Sequence, residues 1–461
     1  MNMHWIKSGR VIVAVVLLGS LAILTIRNTG VHEVHRTSEP TNFAVVNARP
    51  APGDWPWWRG PHQTNAAPHD SAPSQWLPNG SHGWVVSISG RGRSALCTWG
   101  DQLFLPLSDS SHDLVSMVSL EHGTGRLLWQ TELHRGGLLP VLPKAAHAST
   151  TPACDGKHVY MVCPSNGLLW VTALDLNGRI VWQREAGPYF SKWGYESSPT
   201  IHKSLVIVAA DNKGAHIDRL VGASYLTALH RETGEVVWRI HRPNADSFGT
   251  PVVAHIAGRD QLLLAGRGSV CSYDPMTGKN LWTCRWSGDR VGNSVAFDDQ
   301  QVYASTRHPR PELLCIRADG SGDVSRTHIA WHTSKFAGDL TSPVVHDGKI
   351  YVAGDDGVIG CLDTGSGQAL WRRQLTGAIS ASPMIAGQHL YCCNEDGTVF
   401  VFRLSGRGEL VAEIPMGEAI HVAPVVSHNR LYIRTILGLH CITDPREVPV
   451  AEQPDVPRRR S

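Results

Sequence analysis

Six side chains carry the chemistry most open to use in this sequence. Lys192, Trp193, Tyr195 and Glu196 cluster in the run PYFSKWGYE, just before Ser197-Ser198. Arg93 and His421 stand elsewhere in the chain, at the same offset as Glu196 from a recurring small-residue position. An amine, a guanidinium, an imidazole and a carboxylate can exchange protons or hold a polar ligand, and clustered aromatics can anchor a partner. The sequence supplies no nucleophile or metal frame to go with them. It has no H-E-x-x-H, no phosphate-binding glycine loop, no G-x-S-x-G and no C-x-x-C-H. The six are therefore expected to be binding residues, with no catalytic residue and no metal ligand assigned. His32 and His35 form an H-x-x-H expected to be solvated. The turns Asp355-Asp356-Gly357 and Glu395-Asp396-Gly397 have a conformational reason for their Asp-Gly pairs.

The elements that must position these residues are repeats. The clearest copy runs from Thr341 to Trp371, TSPVVHDGKIYVAGDDGVIGCLDTGSGQALW, and the next from Ser380 to Leu410. Each holds four short runs separated by Gly/Asp turns, the signature of an antiparallel meander. Four-stranded meanders repeated many times make the blades of a propeller. The last strand of a copy ends in Trp84, Trp129, Trp182, Trp238, Trp282, Trp331 or Trp371, with Leu410 in the seventh copy. The first strand carries a small residue at one position: Ala95, Thr151, Ser198, Thr250, Ser294, Ser342, Ser382 and Ala423. Inner strands converge on the axis, where large side chains do not fit. The final copy, from His421 to Ile442, lacks a fourth strand, and Gly83–Ser89 near the start of the chain supplies one. The count is eight blades in a closed all-β ring, with no free sheet edge where the chain ends meet. By this register Glu196, Arg93 and His421 share one level, at one mouth of the central channel. Long insertions fall at Leu133–Ala148, Gly187–Glu196 and Asp211–Ser224, and sites on rigid rings are built on such loops.

Composition bounds the partners. The 461 residues have a formal net charge of +2 and are 42% hydrophobic, so no nucleic-acid partner is expected. Lys7 and Arg10 precede an apolar run from Val11 to Ile26, closed by Arg27. No small-x-small cleavage site follows, so residues 1–27 are expected to be an uncleaved signal anchor that exports the rest and tethers it to the membrane. Residues 28–53 are a linker, 54–82 a Trp-rich lead-in, 83–443 the propeller and 444–461 a loose tail. The ten cysteines fit small core positions. Cys271, Cys315, Cys361 and Cys441 occupy the place of Ala173 and Ala228, and Cys154 with Cys163 is the sequence-local candidate disulfide.

The repeat resembles the pyrroloquinoline-quinone (PQQ) type. The resemblance rests on Ala173-Leu174-Asp175 to Trp182, Ala228-Leu229 to Trp238 and Cys361-Leu362-Asp363 to Trp371, and covers residues 83 to 443. It is shared by quinoprotein alcohol dehydrogenases and by BamB-like propeller subunits of outer-membrane assembly machinery. The lead-in Asp54-Trp55-Pro56-Trp57-Trp58-Arg59-Gly60-Pro61 resembles the DWPxWRGP segment of PQQ-like proteins of planctomycete-type bacteria, and is expected to be a cap packed on a blade face. The dehydrogenase branch implies PQQ and, in its alcohol dehydrogenases, a vicinal disulfide beneath it. Cys392-Cys393 would be the counterpart, but successive strand residues point to opposite faces, so the pair is expected to remain buried thiols. The expected function is an extracytoplasmic, non-catalytic scaffold that binds a protein partner at the membrane, without a cofactor. A quinoprotein dehydrogenase and a small-ligand or sugar sensor are the alternatives.

Overall fold

The computed structural model describes residues 49–77, 83–88, 92–138, 141, 146–191, 193–212, 224–243 and 246–444. The anticipated anchor, nearly all of the linker, the histidines at 32 and 35, and the tail from residue 445 lie outside them. The described strands form eight blades around one axis. In chain order, blades 1 to 7 span residues 97–135, 153–188, 200–242, 252–285, 296–333, 344–374 and 384–415. Blade 8 takes three strands from residues 425–442, and its fourth is Trp84–Ser87, antiparallel to Gly438–Ile442 with Trp84 opposite Cys441. The ring closes as the repeat pattern requires.

Turn chemistry sets each meander. In blade 6, Asp347 and Gly348 both take positive φ, 49° and 67°. That is the twist-matched two-residue hairpin that Asp-Gly favours. The repeat tryptophans join one blade to the next. Trp129 lies against Gly178 in the following blade's last turn, where an added Cβ would come within 2.6 Å of the ring. Its indole N–H donates to Leu176 O at 2.8 Å. Trp84, Trp182 and Trp331 make the same bond to His122 O, Arg231 O and Thr364 O. The T-G-x-x-x-W motif is thus a lock: the glycine clears space for one ring while the motif's own Trp packs onward.

The small inner residues make a second link. Thr151 N–H donates to Ser198 Oγ, Ser198 N–H to Thr250 Oγ1, Thr250 N–H to Ser294 Oγ, Ser294 N–H to Ser342 Oγ and Ser342 N–H to Ser382 Oγ, at 2.9–3.1 Å. Ala423 and Ala95 have no hydroxyl to continue the chain. Across that gap the buried Arg434 guanidinium of blade 8 donates to Ser94 O, Ser94 Oγ and Pro106 O of blade 1. Burial pushes that guanidinium down to about 10.

Two expectations need correction. All ten cysteines are free and buried. Cys154 sits opposite Val159, so Cys163 lies four residues farther along the neighbouring strand, roughly 13 Å away at the strand rise and beyond disulfide reach. Cys392 packs in the core shared with blade 6 and Cys393 in the core shared with blades 8 and 1, on opposite faces as anticipated. The lead-in does not rest on a single blade face; it crosses the mouth of the ring. Trp55 N–H donates to Thr98 Oγ1 of blade 1, and Cys154 N–H of blade 2 to Pro56 O. Arg59 reaches Val295 O of blade 5 and Pro343 O of blade 6. Gln63 accepts from Val253 N–H of blade 4, and Ala66–Ala67 pair in parallel with Ile385–Ala386 of blade 7. Asp54 and His428 of blade 8 meet at 3.2 Å.

Candidate functional site: the axial funnel

With one mouth plugged, the channel becomes a cup. Its throat, about 90 Å³, has Trp58 of the lead-in at the floor. Above that lies the hydroxyl tier of Ser198, Thr250, Ser294, Ser342 and Ser382. The next tier holds the residue three places before each blade's first-strand proline position: Arg93, Ser149, Glu196, Phe248, Gly292, Leu340, Ser380 and His421. The structure therefore brings Arg93, Glu196 and His421 into one cavity. Applying the same offset to all eight copies would have found the other five.

The throat opens into a bowl of about 400 Å³. Its walls come from hairpins between second and third strands and from connections between blades. Asp339 pairs with Arg290 at 2.9 Å and lies 3.4 Å from His308. The Arg290 guanidinium is 5.8 Å from the Trp193 ring centre, within cation–π range. Asp355 accepts the Asp339 and Leu340 N–H groups. Burial, aided by the Asp339 charge, nonetheless pushes its carboxyl up to about 6. Glu196 is also raised by burial, against the pull of Arg93. Asp355 and Glu395, legible in sequence only as turn residues, are bowl carboxylates. Arg290, His308 and Asp339 gave no sequence signal, because they belong to the proline-less fifth copy and its flanking connections.

The remaining sequence-selected residues divide. Trp193 is 37% exposed on the rim. Tyr195 is 2% exposed, donates to Ala209 O at 2.7 Å and packs edge-on against Tyr189, so it anchors the loop and does not face the funnel. Its alternation with Glu196 explains the split: one side chain points into the core and the next toward the axis. Lys192 lies outside the described residues. Chemically, Ser380 Oγ and Glu395 Oε1 approach the same nitrogen of His421, Nδ1, at 3.4 and 4.0 Å. A proton relay needs the acid and the hydroxyl on opposite nitrogens, so this trio does not activate Ser380.

Fold and funnel together define an eight-bladed propeller of the PQQ-like class. Residues 115–323 and 312–408 match the family described as outer membrane protein assembly factor BamB, and the chain belongs to that family. It is 25% identical over 297 residues to the outer membrane protein assembly factor BamB of Yersinia pestis, covering 60% of this chain and 64% of that one, just under two thirds of its length. The dehydrogenase subunit of a quinone alcohol dehydrogenase from Komagataeibacter europaeus is 24% identical over 61% of this chain and 37% of its own. The crystal structure of BamB from Moraxella catarrhalis superposes with a TM-score of 0.54 at 16% identity, over 78% of this chain and 96% of that one.

The quinone that the dehydrogenase relatives imply does not suit this funnel. PQQ carries three carboxylates. Here the bowl presents Glu196, Asp339, Asp355 and Glu395, and one of its two arginines, Arg290, is already taken by Asp339. The vicinal cysteines that would lie beneath the ring system face opposite sides of a blade. Among the described residues no group of three or more His, Cys, Asp or Glu side chains is arranged to hold a metal ion.

Proposed function

We propose that this protein is a non-catalytic scaffold that binds a protein partner through its funnel face, on the extracytoplasmic side of a membrane. The observation that carries the reading is the funnel itself: a rigid cup with an exposed aromatic on its rim and a carboxylate-rich lining that disfavours a tricarboxylate cofactor. Membership of a family described as an outer membrane protein assembly factor supports a partner-binding role. Trp193 is the anchor, since aromatic residues dominate interface energetics. Tethering is assigned to the apolar run Val11–Ile26.

The test compares the tagged full-length protein with a Trp193→Ala/Glu196→Gln variant. The parent is expected to co-purify a specific protein that the variant loses at an unchanged melting midpoint. PQQ bound at one equivalent, with calcium-dependent dye reduction, would replace this reading with the dehydrogenase one.

A further inference from the structure

Beside the funnel, on the same face of the ring, a separate groove runs between blades 5 and 6. Two cavities of about 190 and 450 Å³ share Pro311, Ser334 and Lys335 and so form one depression. Its deep wall is apolar: Phe336, Val352 and Val358 are buried there. Its rim is cationic. Arg307 is paired with Asp356 at 3.1 Å. Arg310, Lys335 and Arg372 are exposed around the same groove with no ion-pair partner among the described residues. The second carboxylate of the lining, Glu312, accepts bonds from Ser287. Four cations against two carboxylates leave the groove net positive, which raises the local concentration of anions. The neighbouring funnel has the opposite character, with four carboxylates against two arginines.

We propose that this groove binds an acidic peptide segment, with side-chain carboxylates on the cationic rim and an apolar side chain on the Phe336–Val352–Val358 wall. Guanidinium groups suit carboxylates because they donate two parallel N–H bonds. A peptide fits better than a nucleic acid for a geometric reason. A continuous phosphate backbone would extend from the groove over the acidic bowl, whereas a peptide can place discrete carboxylates on the rim alone. The assignment goes beyond the funnel-face reading and shares with it only the premise that the partner is a protein.

The experiment uses the full-length protein in detergent and a fluorescein-labelled peptide of alternating glutamate and leucine, read by anisotropy. A twin peptide with glutamine for every glutamate is the charge control. The acidic peptide is expected to bind, the twin to bind roughly tenfold more weakly or worse, and salt raised from about 50 mM to about 0.5 M to weaken binding. The triple variant Arg310→Ala/Lys335→Ala/Arg372→Ala should lose affinity by a similar factor at an unchanged melting midpoint. Lys279→Ala, an exposed cation in the last turn of blade 4 that does not line the groove, and Trp193→Ala should leave the affinity alone. Loss of peptide binding in Trp193→Ala would place the peptide in the funnel and overturn the groove. Equal binding of the twin, or full affinity in the triple variant, would overturn the charge recognition. Single-stranded DNA binding more tightly than the peptide, with the same variants abolishing it, would overturn the choice of ligand.

Discussion

The two mouths of the ring differ in how far the chain covers them. At the plugged mouth the lead-in places Trp55 and Arg59 almost wholly out of solvent, and its backbone and side chains bond to the inner strands blade by blade. At the open mouth Glu196 and Asp355 are raised by burial, Trp193 is exposed, and Arg310, Lys335 and Arg372 of the blade 5–6 groove have no ion-pair partner among the described residues. The lead-in is buried and bonded to most blades even though Trp57, Arg59 and Trp76 each keep one buried N–H without a partner, whereas groups left exposed or without a counter-ion leave interactions for a ligand to complete. One mouth is tied down by the lead-in, and the other is the face proposed above for recognition.

The largest effect should come from opening the ring. Deleting residues 83–89 removes the fourth strand of blade 8 and exposes the edge of Gly438–Ile442. The loss should approach the whole stability of a folded domain, about 5–15 kcal/mol, and calorimetry should find no cooperative transition near that of the parent. A matched pair of tryptophans sharpens the contrast between mouths. Trp55→Ala, at 1% exposure, should cost about 3–5 kcal/mol. Trp193→Ala should stay within about 0.5 kcal/mol in the same denaturant titration. Equal costs would erase the distinction.

A smaller effect is expected along the hydroxyl chain. Ser294 Oγ accepts both Thr250 N–H and the Trp58 indole N–H. Ser294→Ala leaves the buried Thr250 N–H and the half-buried Trp58 indole N–H without this acceptor and should destabilise by about 1–3 kcal/mol, whereas Ser380→Ala, one tier up, should cost less.

The smallest effect is on pH dependence at the plugged mouth. The hydrogen bond from His428 to Asp54 raises the imidazole above its ordinary value. Burial pushes Asp54 up, but its bonds from His428, Gly100 and Ala51 prevail and hold it below the usual carboxylate range. His122, edge-on to His428 at 5.0 Å, is pushed down to about 4 by burial and by the His428 charge, and stays neutral near pH 7. The contribution of the raised His428 is complete below the unfolded histidine value and is lost as pH rises through the folded one. That of the lowered Asp54 is complete above the unfolded carboxylate value and is lost as pH falls through the folded one. The His428–Asp54 pair by itself is therefore strongest between roughly pH 4 and 6.5, while the lowered His122 works the other way and costs stability as pH falls below the unfolded histidine value. Because His428 is about one third exposed, the decline above that window should be only a few tenths of a kcal/mol. It should vanish in His428→Gln melts recorded from pH 5 to 8.

The ring was legible in sequence because its information repeats. The T-G-x-x-x-W turn, the small inner residue and the missing fourth strand each recur or fail at a fixed register, and that register also placed Arg93, Glu196 and His421 on one tier. The lead-in has no repeat to reveal its path. Arg59 meets Val295 and Pro343 across more than two hundred residues of sequence, and nothing local marks those carbonyls as its partners. Tyr195 was misplaced although the register that turns Glu196 toward the axis also turns its neighbour into the core. Asp355 and Glu395 do have repeat-equivalents, but the Asp-Gly turn accounts for such residues so well that their second role, lining the bowl, is hidden.

The open mouth is the proposed docking face for a protein partner. Site-specific photo-crosslinking in cells measures that directly, with the photoreactive residue placed at position 193 on the rim or at position 127 on the exposed outer strand of blade 1. A discrete protein adduct at 193, absent at 127 and abolished by Glu196→Gln, is the predicted result. Indistinguishable adducts at both positions, or no adduct at 193 in a protein that purifies with quinone absorbance, would contradict it.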